Sequence, residues 1–247
     1  NLAAVLAAAL LYIYVRQRID TESALLAVAV VFGWPTACFY SFGYAESVNL
    51  LLTIAVLLLA DRGRWLAAAV ACGAATATRP TALTLVPVLL LAYWLNTRGT
   101  RPRRLGSMLG LGVVASAGVL LYAAYLTYRF GSPAVYFDNF RNWIPELGES
   151  QWPRFLRLEN VANGFKYFGR AIRQFPTGLM HLANPMAWNI LLSVALLALS
   201  FGGMCRTPRR FWPFLWVGPL IFVQRYAVAG WNTFGGESLA RYMMLAT

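Results

Sequence analysis

From Ala24 to Ala60 the chain carries a single charged side chain, Glu46, and from Trp65 to Thr97 it again carries one, Arg79. At about 1.5 Å of rise per residue each run is a helix of roughly 50 Å, against a bilayer hydrocarbon core of roughly 30 Å. Each run is therefore predicted to be two crossings folded back on each other, with the lone ion at the bend. An unpaired ion in lipid costs at least about 2.5 kcal/mol, which makes an acid and a base at the ends of membrane helices candidate functional groups.

The same pattern predicts crossings near 2–15, 24–44, 47–60, 65–78, 81–96, 105–128, 186–204 and 211–224, with a last one starting near Leu239. Several are shorter than about 20 residues and need flanking Trp, Tyr or Gly, little tilt, or a re-entrant path. When crossings alternate, Arg16 and Arg18, Arg62 and Arg64, the cluster Arg98, Arg101, Arg103 and Arg104, and Arg206, Arg209 and Arg210 share one side. Basic residues in short connections mark that side as cytoplasmic. The opposite side receives 34–47, Thr78-Arg79-Pro80, 129–185 and 225–238, the segments rich in Trp, Tyr, Gly, Asn and acids. The expected fold is all-α: one polytopic transmembrane domain over 1–247 with about eight or nine crossings. Its extracytoplasmic connection spans 129–185. Both ends fall inside apolar runs, and the domain is expected to be truncated at each.

Within that connection Leu158, Val161, Phe165, Phe168, Ile172 and Phe175 recur at steps of three and four, with Pro176 closing the pattern. Arg154, Arg157, Lys166, Arg170 and Arg173 lie among the polar positions, as in an amphipathic helix lying in the membrane interface. Its cations meet lipid phosphates or gather a lipid-phosphate substrate.

Composition agrees with the pattern. Hydrophobic types make up 59 % of 247 residues, charged types 12 %, and mean hydropathy is +0.56, far from an ordinary soluble domain. A formal charge of +12 could suit nucleic acid, but arginines set beside apolar spans fix membrane orientation instead, so no nucleic-acid partner is expected. Cys38, Cys72 and Cys205 lie far apart without CxxC spacing, which argues against a zinc site or disulfide framework. His181 stands alone, so neither metal nor cofactor is predicted.

Four constellations remain on the non-basic side. Pro35 and Gly43 break the apolar run through Tyr44, Ala45, Glu46 and Ser47, so the backbone there can line a cavity. Glu46 equally suits the first turn of the next helix, where a carboxylate is favoured by the helix dipole. Arg79 precedes Pro80, which pushes it out of helical geometry and presents its guanidinium either to a phosphate or to Glu46. Asn232, Glu237, Arg241 and Tyr242 form the third cluster, a substrate contact or an interfacial anchor. Asp138, Arg141 and Trp143 suit a sugar site or an aromatic belt.

Pro35-Thr36-Ala37 leading into Phe39-Tyr40-Ser41 and Tyr44-Ala45-Glu46-Ser47, then Arg62-Gly63-Arg64-Trp65 and Thr78-Arg79-Pro80, give the stretch 1–95 its likeness to a known family. It resembles the Pig-V-type mannosyltransferases, relatives of the second mannosyltransferase of glycosylphosphatidylinositol-anchor synthesis. Gly131-Ser132-Pro133, Asn142-Trp143, Trp188-Asn189 and Arg241-Tyr242 extend the order over most of the chain, whereas Thr81-Ala82 stands where the family commonly has Asn-Gly.

The resemblance implies an inverting membrane glycosyltransferase of the GT-C class, taking a hexose, mannose in that family, from a polyprenyl or dolichyl phosphate. The acceptor would be a lipid or glycan on the extracytoplasmic or lumenal face. The family's catalytic aspartate lies in a first outer loop upstream of residue 1, so the catalytic base is unknown here and the piece alone is expected to be inactive. Arg79 and Arg241, with Tyr242 beside it, become candidates for the donor phosphate. Tyr44, Glu46 and Asp138 become candidates for orienting sugar hydroxyls or a neighbouring arginine. A bacterial plasma membrane is expected before an endoplasmic reticulum membrane, and a membrane partner subunit is compatible with the fold. The alternatives are a transporter or flippase of lipid-linked sugars, built on similar broken helices, and a non-catalytic scaffold subunit.

Overall fold

The computed structural model describes residues 2–33, 45–135, 169–170, 172–173, 195, 197–205, 212–216 and 219–220. Every regular element among them is helical. In chain order these are α1 (Leu2–Arg16), α2 (Thr21–Gly33), α3 (Glu46–Asp61), α4 (Trp65–Thr78), a 3-10 turn (Pro80–Thr84), α5 (Leu85–Asn96), α6 (Arg101–Ala115), α7 (Ala117–Phe130) and a short α8 (Trp212–Leu215). Residues 197–205 are also helical.

Local chemistry sets most of these boundaries. Asp20 starts α2 by accepting from the Ser23 backbone N–H at 2.7 Å and from its hydroxyl at 3.0 Å, which satisfies a donor that the helix leaves open. The same two bonds hold the Asp20 carboxyl below its ordinary range. At the other end of the α3 hairpin, Gly63 sits at φ 70 with its N–H on the Ala60 carbonyl, and Arg64 N–H reaches Leu59. That paired closure uses glycine's access to left-handed backbone to end α3. Arg79 is extended at φ −152, ψ 133, as the following proline requires.

Packing centres on α3 and α4. Leu50, Ile54 and Val56 of α3 meet Ala68, Ala69, Cys72 and Ala75 of α4, with Leu85, Val88 and Leu89 of α5 closing the core and Ala7 of α1 joining it. Alanines and glycines on α4 let backbones come close. A Cβ on Gly73 would stand 2.5 Å from the Val114 carbonyl oxygen, and one on Gly118 would stand 2.3 Å from the Gly73 oxygen. Small residues at such crossings favour van der Waals packing and stand in for bulk apolar filling.

Two features differ from the expected crossings. The span expected over 105–128 is two helices, α6 and α7, bent by 57° at Ser116, which lies at φ −94, ψ 0. The span expected over 81–96 begins with a turn of 3-10 helix before α5. Among the described residues no single helix is long and apolar enough to cross a membrane, and only the bent α6–α7 pair passes that test together. Pro80 divides the apolar run 65–97 and the Ser116 break divides the run 101–130, which accounts for the lengths of α4, α6 and α7.

The connections sort to two ends. Arg18, after α1, pairs with Asp61 at the end of α3. Trp65, opening α4, meets Tyr93 near the end of α5 edge-on at 5.3 Å. The α1–α2, α3–α4 and α5–α6 connections therefore share one end of the bundle, while the start of α3 and the end of α4 meet at the other.

Candidate functional site

At this second end Glu46 is fully buried, and its Oε1 lies 2.6 Å from an Arg79 guanidinium nitrogen. Glu46 opens α3, where the dipole of the helix supports its charge. Arg79 reaches it because the α4 helix stops one residue earlier and the extended backbone turns the side chain back toward the bundle. The Arg79 side chain keeps 15 % of its surface, so the pair has one dry partner and one that touches the outside. A guanidinium carries five N–H donors in a planar fork, so one arginine can bond a carboxylate and other acceptors at once.

A polar row continues inward from the pair. Ser47, Asn49 and Thr53 of α3 are buried, and the Thr53 hydroxyl donates to the Asn49 carbonyl at 2.8 Å. Asn49 Oδ1 lies 3.4 Å from the Thr78 hydroxyl, which also donates to the Ala75 carbonyl at 2.7 Å. The Thr76 hydroxyl donates to Gly73 at 2.8 Å and stands 3.4 Å from the Ala115 carbonyl, linking α4 to the α6–α7 break. Buried polar groups hold a fold in one register only when their bonds are made, and here they fix the last turn of α4 that carries Arg79.

The structure thus brings together two of the residues singled out by sequence, Glu46 and Arg79. Tyr44, Asp138, Arg241 and Tyr242 lie outside the described residues, as do Cys38, Arg141, Trp143, His181, Asn232 and Glu237. Most of the expected 158–175 stripe does too, with 169, 170, 172 and 173 in helical backbone. Cys72 is buried and Cys205 exposed. Among the described residues no three His, Cys, Asp or Glu side chains converge as a metal ion requires.

Sequence reasoning passed over Asn49 and Thr53, and named Thr78 only as part of the Thr78-Arg79-Pro80 turn. The signal was present, because Glu46, Asn49 and Thr53 follow the spacing of one helical face within an apolar run. It also passed over Gly73 and Gly118, whose use depends on which helices meet.

No protein-family model, curated protein or solved structure matches this chain. The ion pair and its polar surroundings are therefore the observations on which a functional reading stands.

Proposed function

We propose that this chain forms the helical part of a polytopic membrane glycosyltransferase that transfers a hexose, mannose by resemblance, from a polyprenyl or dolichyl phosphate donor. The site lies at the Glu46–Arg79 end, on the extracytoplasmic face, and serves a lipid or glycan acceptor. The observation that carries the reading is the buried Glu46 carboxylate against an Arg79 that still reaches the outside. A carboxylate that orients an arginine from behind sets the partly exposed guanidinium to meet a phosphate in a fixed geometry.

In the reaction the acceptor oxygen forms a bond to the sugar's anomeric carbon while the bond from that carbon to the donor phosphate oxygen breaks. The lipid phosphate leaves with the electron pair, and a carboxylate base takes the acceptor proton. Arg79 neutralises charge growing on the phosphate; Glu46 is a positioning residue, and the base itself is unassigned.

The test is transfer from a polyprenyl phosphate hexose by the full-length protein in membranes. Arg79→Lys should lower turnover by about 10-fold or more while expression holds, because a point charge does not reproduce bidentate contact. Normal turnover in both Arg79→Lys and Glu46→Gln rules the site out. The 57° break between α6 and α7 supports a second reading, transport of a lipid-linked sugar. Movement of the labelled lipid across vesicles without transfer to acceptor would select it.

A further inference from the structure

We propose that the other end of the bundle binds an anionic phospholipid, with its phosphate on exposed arginines and its acyl chains along the outer face of α6. The inference rests on the membrane reading above and is independent of the sugar chemistry.

Charge at this end is one-sided. The connections α1–α2, α3–α4 and α5–α6, with the helix turns beside them, hold eight arginines against Asp20, Glu22 and Asp61. Asp61 is engaged by Arg18, and Asp20 is engaged in capping α2. Six arginines, at 16, 62, 64, 98, 101 and 103, are exposed, and among the described residues none has a carboxylate within ion-pair distance. Positive charge gathered this closely is self-repulsive, and a bound anion relieves it.

Part of the surface is also braced. The Arg104 guanidinium lies 3.9 Å over the Trp94 ring and donates to the Trp94 carbonyl, and Arg18 lies 4.3 Å over Tyr14. The first contact ties the start of α6 to the end of α5, and Arg18 through Asp61 ties the end of α1 to the end of α3.

The apolar part of the ligand is read from α6. Arg101, Leu105, Leu109 and Val113 follow one another at steps of four, so they share a face. Leu105 is 52 % exposed, Leu109 73 % and Val113 62 %. A cation thus stands at the head of an uncovered apolar track about 12 Å long at 1.5 Å per residue. A soluble anion or a nucleic acid matches only the charge, and a zwitterionic lipid matches the track but brings a phosphate already neutralised by its own cation. A phosphodiester lipid with net negative charge matches both.

The experiment uses the purified full-length protein in detergent micelles supplied with phosphatidylglycerol, phosphatidylcholine or glycerol phosphate, read by thermal unfolding and by lipid retained in native mass spectrometry. Phosphatidylglycerol is expected to be retained and to raise Tm, with the other two near baseline. Arg101→Gln and Arg103→Gln should each weaken its binding by about fivefold, and Leu109→Asn should weaken it without changing charge. Equal effects of the two lipids overturn the proposal, as does protection by glycerol phosphate alone. If a variant does not fold, the comparison of the three additives on the unaltered protein still decides. Release of the protein from membranes by alkaline wash without detergent would remove the membrane reading itself. Firm retention in the membrane with no preference for phosphatidylglycerol would remove only the lipid site.

Discussion

The two ends of α3 each carry an ion pair, and they are built to opposite specifications. At its start Glu46 is wholly buried against Arg79, 15 % exposed; at its end Asp61 keeps 37 % of its side-chain surface and Arg18 18 %. The first pair sits above buried Asn49 and Thr53 and half-buried Thr78. The second sits among exposed arginines and links two connections. A dry pair is costly to break because the survivor keeps its desolvation cost, whereas water covers for a lost partner at the wet end. One end is therefore closed by an ion pair with a fully buried carboxylate, and the other by a pair whose carboxylate meets water beside exposed arginines.

The largest effect should come from opening the dry pair. Arg79→Ala takes the guanidinium from a buried carboxylate and should cost about 3–5 kcal/mol in unfolding free energy, measured by thermal or denaturant melts in detergent. The double variant Glu46→Gln with Arg79→Gln should recover much of that loss, since two neutral amides can still meet. A double variant no better than Arg79→Ala alone would show that charge pairing is not what holds this end.

Next comes Gly118→Ala. Its Cβ would meet backbone atoms of Gly73 and Ala77 at 2.3 Å, two residues before Arg79. Backbone cannot swing aside as a side chain can, so the α7 start must move away from α4 at a cost of roughly 1–3 kcal/mol. Activity of the full-length protein should fall with it. Stability loss with unchanged activity would separate the α6–α7 break from the site.

At the wet end, Arg18→Ala should cost no more than about 1 kcal/mol and lose even that at high salt. A loss as large as that of Arg79→Ala would break the comparison outright.

The smallest effect concerns Asp20. Its folded carboxyl is held below the ordinary value of 3.8 by the Ser23 N–H and hydroxyl. Its contribution is therefore complete above that value and is lost as pH falls through the lower folded pKa. Stability measured from pH 7 to pH 5 should be flat with respect to this group. Below about pH 4, the ordinary aspartate range, the intact protein should lose a small increment that Asp20→Ala no longer shows.

Much of the bundle was legible in the residues. Apolar runs placed α1 to α5 because burial of a helix requires them, and Gly63, Arg79-Pro80 and Asp20 mark boundaries that backbone sterics and capping enforce locally. The break within 105–128 was not legible. Ser116 carries no proline or glycine signal of its own, and the bend follows from Gly118 and Val114 meeting Gly73 on a different helix. Asn49 and Thr53 were overlooked for a similar reason: a polar residue in an apolar run declares its value only when its partner, here Thr78 from α4, is known.

The sequence by itself determined the helical class, the segregation of arginines to one set of connections, and the isolation of Glu46 and Arg79 as lone ions in apolar surroundings. These depend on neighbours a few residues away. Only the tertiary structure decided that the two ions meet at 2.6 Å, that α4 is narrow enough for α6 and α7 to bend over it, and which arginines face outward above an apolar track. Those outcomes depend on contacts between segments far apart in the chain, and hydropathy contains no distances.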